Sequence, residues 1–130
     1  MSQQILYVTL VVNDYDEAIK YYTEVLGFIL TADIYQPEQN KRWVTVALPH
    51  TAGTQLLLAK ATTPEQVDHI GNQTGGRVAF FLHTDDFWGD YQRYRERGLN
   101  FLEQPREESY GTVVVFADHY GNKWDLLQLH

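Results

Sequence analysis

The chain repeats itself, and that repetition limits its folding options more than any other feature. Ile5 to Val12 is a β-branched apolar run, Asp14 opens a helix, and Gly27 closes it. In the second half Arg77 to His83, Asp86 and Gly98 take the same roles in the same order. Tyr7 precedes Asp14 by seven positions and Ala79 precedes Asp86 by seven. Gly27 to Gln55 and Gly98 to Asp125 match in length to within one residue. The pattern predicts an α+β fold made of two β-α-β-β-β modules, each about half of the chain. Module one runs from about 4 to 60 and module two from about 77 to 130, with a polar linker at 61–76, all in a single domain over 1–130.

Local chemistry supports each element. Asp14 and Glu17 have capping-box spacing, and Ala18, Tyr22, Val25 and Leu26 follow as one apolar stripe. Strands are expected at 28–35, 42–48 and 54–59. In the second half Phe87, Tyr91 and Tyr94 recur at helical spacing. Strands follow at 99–102, 112–117 and 123–129, and the stretch from Glu103 to Tyr110 reads as an acidic loop. That loop is either simply solvated or a gate over a binding site. The linker carries Pro64, Gly71, Gly75 and Gly76, with room for one short helical turn.

Composition narrows the function. The 130 residues carry 10 Lys plus Arg against 17 Asp plus Glu, a net charge of −7. That balance argues against a nucleic-acid partner and against docking on an anionic membrane. A cationic ligand is compatible with it. Cysteine is absent, which removes thiolate nucleophiles, disulfides and thiolate metal sites. Met1 to Gln4 has no basic lead and no apolar run reaches the roughly 20 residues of a membrane span, so a cytoplasmic location is expected.

Val12-Asn13-Asp14, Ala18 to Tyr22 and Leu26-Gly27-Phe28, with Arg97-Gly98 and Asp118 to Asn122 in the second half, resemble the vicinal oxygen chelate superfamily. That superfamily covers glyoxalase I, bleomycin-resistance proteins and extradiol dioxygenases. The resemblance extends over essentially the whole chain. It implies paired βαβββ modules with sheets curled into a cup, a ligand inside, and a homodimer. Metal-using members supply His or Glu ligands from four strand positions, which here correspond to Tyr7, Gln55, Ala79 and Asp125. Of these only Asp125 is an ordinary donor for a divalent ion, so neither a metal nor any other cofactor is expected.

The two-residue strand period selects further candidates. Leu6, Val8, Leu10 and Val12 form an apolar face, and Ile5, Tyr7, Thr9 and Val11 a mixed face suited to a ligand. In the second half Val78, Phe80 and Leu82 are the apolar set, while Arg77, Ala79, Phe81 and His83 are the mixed one. Candidate ligand contacts are therefore Tyr7, Trp43, Gln55, Arg77, Phe81, Tyr110 and Asp125. Asp125 either forms a structural ion pair, with Arg77 as the candidate partner, or waits for a ligand as a base or cation receptor. His83 is either a hydrogen-bonded strand-end histidine or an acid–base group.

Three functions remain open on these residues. The first is a metal-free binder of an aromatic or cationic small molecule. The second is a metal-dependent lyase, isomerase or dioxygenase with a divergent site around Asp125. The third is a subunit whose cup is filled by its own side chains.

Overall fold

The computed structural model describes residues 2–130 and carries the repeat in its strand connections. Met1, the first residue of the predicted lead-in, lies outside the described residues. Two compact units divide between Ile70 and Gly71. No helix among the described residues is long and apolar enough to cross a membrane.

In the first unit β1 (Tyr7–Val12), α1 (Tyr15–Glu24), β2 (Ile29–Gln36), β3 (Lys41–Ala47) and β4 (Gln55–Lys60) precede a short helix α2 (Pro64–Asp68). The sheet order is β1-β4-β3-β2, with β1 and β4 parallel and the other neighbours antiparallel. The Asp14 carboxylate accepts the Glu17 N–H at 2.9 Å, as the capping spacing predicts, and Gly27 ends the helix region with φ 78°. One sheet face packs against α1. Leu10, Val12, Val44, Val46 and Leu58 are fully buried with Ala18 and Tyr22 of the helix. Residues one position along, at Thr9, Trp43, Leu57 and Ala59, remain accessible on the other face.

In the second unit β5 (Val78–His83), α3 (Phe87–Glu96), β6 (Asn100–Phe101), β7 (Arg106–Glu108), β8 (Gly111–Ala117) and β9 (Lys123–Leu129) give the order β5-β9-β8-β6. The parallel pair is β5 with β9, matching β1 with β4. The core is aromatic: Phe116 stacks on Trp124 at 5.7 Å between ring centroids, and Phe87 is almost wholly buried. Asp86 caps α3 by accepting the Gly89 N–H, and Gly98 turns with φ 84°.

Two expectations need correction. Residues 103–110 are not a bare loop. Arg106 to Glu108 forms β7, antiparallel to β8, and Arg106 binds Glu103 and Glu108 at 2.9 and 2.6 Å. Charge pairing along the strand disguised it, because an Arg-Glu-Glu run has no apolar alternation. The apolar face of the first strand is also buried only at its C-terminal end. Leu6 and Val8 are exposed, whereas Leu10 and Val12 are fully buried.

Candidate functional site

Each unit offers its uncovered sheet face, and most of the expected contacts lie there. In the first unit Tyr7 and Gln55 are register partners across the parallel β1–β4 pair. The Tyr7 ring meets Trp43 of β3 edge-on, with centroids 5.4 Å apart. A bulge between Leu30 and Ala32 leaves Thr31 without a cross-strand partner in the register. Its hydroxyl lies 2.6 Å from the Thr45 hydroxyl and donates to Gln55 Oε1 at 2.6 Å. Gln55 is thus engaged by a neighbour on its own sheet.

A groove of about 290 Å³ lies on this face. Its floor is Val11, Trp43, Leu57 and Ala59, and Lys41, Lys60, Thr62 and Gln66 stand among its walls. The short helix α2 supplies Gln66, and Thr63 holds that helix in place by accepting the Gln66 N–H. Arg42 and Tyr15 complete the lining, but the Arg42 guanidinium is taken. It binds Asp33 at 3.0 and 2.8 Å and Asp16 at 2.9 Å, and stands over the Tyr15 ring. A second hollow of about 460 Å³ near the start of β1 includes Leu6, Ile29, Thr31, Pro49 and Gln55.

In the second unit Phe81 and His83 are exposed on one face of β5, and Tyr110 is exposed at the β7–β8 turn. The strand spacing had put Ala79 in the place that Tyr7 holds. An irregularity between Val78 and Phe80 shifts the register, so Phe81 is the partner of Asp125. Asp125 itself is half-buried, and its Oδ1 has no hydrogen-bond partner among the described residues. Arg77 is exposed just before β5 and is not its partner; among the described residues it makes no ion pair. Burial pushes the Asp125 carboxyl above its ordinary range; Arg106 on β7 opposes the shift and Glu103 adds to it.

This shift has a testable sign. The unfolded chain ionises Asp125 above about pH 3.9. Its raised folded-state value means that the charge opposes folding, in full above that value and not at all below the unfolded one. Asp125→Asn should therefore melt higher than the parent at pH 7, with the gain shrinking as pH falls through the raised folded-state value and gone by about pH 3. Thermal melts at the two pH values check this, and a gain that persists in acid contradicts it.

The positions that hold a metal in related folds do not fit one here. Tyr7, Gln55 and Phe81 or Ala79 offer no nitrogen or carboxylate donor, and Gln55 already accepts a hydrogen bond. Among the described residues no three His, Asp or Glu side chains are grouped to hold an ion.

The sequence profile of the Glyoxalase/Bleomycin resistance protein/Dioxygenase superfamily matches residues 4–126. The chain belongs to this superfamily. A protein of Shewanella frigidimarina is 58% identical over 130 residues, covering 100% of this chain and 96% of that one. YurT of Bacillus subtilis is 32% identical over 96% of this chain and 98% of its own. Among solved structures of the superfamily fold, UcmS2 is 31% identical with a TM-score of 0.84, covering 98% of both chains. TnmS3, an antibiotic binding protein from Streptomyces sp. CB03234, is 30% identical with a TM-score of 0.77 over 100% of this chain and 98% of its own.

The groove's polar wall escaped the sequence reading. Lys41 shares the strand parity of Trp43 and could have been found by the same period. Lys60, Thr62 and Gln66 could not, because they reach the groove through the end of β4 and the placement of α2.

Proposed function

We propose that this superfamily member is a binding protein for a small planar organic molecule, held by its own side chains without a glyoxalase-type metal centre. The observation that carries this reading is the groove on the uncovered face of the first unit, where Trp43, Val11 and Leu57 offer an apolar floor rimmed by polar groups. The whole-length similarity to TnmS3, an antibiotic binding protein, supports it. Exposed Ile5, Ile29, Leu30, Ile34 and Tyr35 further support self-association into a homodimer, because so much apolar surface in one unit calls for a cover.

Thermal melting separates the proposal from a metalloenzyme. Protein treated with EDTA and dialysed should melt where untreated protein does, and zinc, nickel, manganese or iron(II) should not move it. A drop after chelation that one equivalent of divalent metal restores would overturn the proposal.

The unpartnered Asp125 oxygen favours a second reading, in which the second unit uses that carboxylate as an acid–base group on a bound substrate. Asp125→Ala distinguishes the two: turnover of a substrate lost with binding intact supports the enzyme.

A further inference from the structure

The charge of the first-unit groove runs against the charge of the chain. Seventeen acidic residues outnumber ten basic ones overall, yet among the described residues no Asp or Glu lines the groove. Three cations do, and they include two of the four lysines in the sequence. Arg42 is neutralised by Asp33 and Asp16, neither of which lines the groove. Lys41 and Lys60 are exposed and make no ion pair among the described residues. Two lysines without an ion pair among the described residues thus line the groove beside an indole and aliphatic side chains. On the α2 side the Thr62 and Gln66 side chains also line the groove, where the Thr62 hydroxyl donates to Gln66 Oε1 at 3.1 Å.

We propose that this groove selects planar aromatic compounds that bear a carboxylate, with Trp43 taking the ring and Lys41 and Lys60 the acid. The inference rests on the reading of the protein as a small-molecule binder and adds the sign of the ligand's charge. It reverses the expectation that the net charge of −7 encourages, since the nearby Asp16 and Asp33 are already paired with Arg42 and carboxylates beyond roughly 10 Å are screened. The volume of about 290 Å³ lies at the small end of ligand sites, which suits one or two fused rings.

The test uses three probes of one shape: 2-naphthoate, neutral 2-naphthamide and cationic 2-naphthylmethylammonium. Calorimetric titration of the full chain should give 2-naphthoate about tenfold tighter than the amide, with the ammonium compound weakest. In the doubly substituted Lys41→Gln, Lys60→Gln protein the advantage of the acid should fall to about twofold or less, while the amide keeps its affinity. Raising the salt concentration should weaken the acid and leave the amide unmoved. Both lysines are exposed, and an unchanged melting temperature confirms that the variant folds. Equal binding of acid and amide, or a preference that survives the double substitution, overturns the charge inference and leaves the small-molecule reading standing. No binding of any of the three overturns both.

Discussion

Asp118→Ala should cost about 3–4 kcal/mol of stability, a large part of the roughly 5–15 kcal/mol that holds a domain together. The Asp118 carboxylate is only 5% exposed and sits inside the turn between β8 and β9. Its Oδ1 accepts the backbone N–H groups of Tyr120, Gly121 and Asn122 at 3.0, 3.0 and 2.9 Å. Its Oδ2 accepts from Asn122 Nδ2 and from the Trp124 indole, both at 3.1 Å. Alanine would strand those donors in a buried place, which is why the cost exceeds that of one hydrogen bond. Asp118→Asn should cost about 2 kcal/mol, because its amide nitrogen faces a donor instead of accepting from it. Urea unfolding followed by circular dichroism gives both numbers. A loss below about 1 kcal/mol for alanine would mean that the backbone bond from Asp118 N to Asn122 O, at 2.9 Å, holds the turn by itself.

The second large effect falls on binding. Trp43→Leu should weaken 2-naphthoate about 10- to 100-fold while lowering stability by only about 1–2 kcal/mol. Trp43 is half-buried and lines the groove floor, with Tyr7 edge-on against it. Leucine keeps the apolar floor and removes the stacking surface, so affinity should suffer more than the fold. Calorimetry on the variant, alongside its melting curve, separates the two. Affinity within threefold of the parent would place the ring contact elsewhere.

Helix boundaries were legible because their causes are local. Asp14 and Asp86 reach backbone N–H groups three residues on, and Gly27 and Gly98 adopt positive φ, all within one turn of chain. The repeat was legible for the same reason, since equal spacing of caps and stops survives whatever the strands do. Cross-strand relations were not. The shift at Ala79 exchanged one apolar partner of Asp125 for another, and nothing between Arg77 and His83 announces it. The cation whose charge acts on Asp125 is Arg106 rather than Arg77, and it lies on β7, a strand whose charges hide it from the apolar pattern. Trp43 was found from its residue type, whereas the lysines beside it depended on strand order and on where α2 came to rest.

Binding without a metal is checked by titrating 2-naphthoate into EDTA-treated protein and into the same protein supplied with one equivalent of zinc. The proposed function predicts saturable one-to-one binding with the same Kd in both. Binding that appears only with zinc would contradict it.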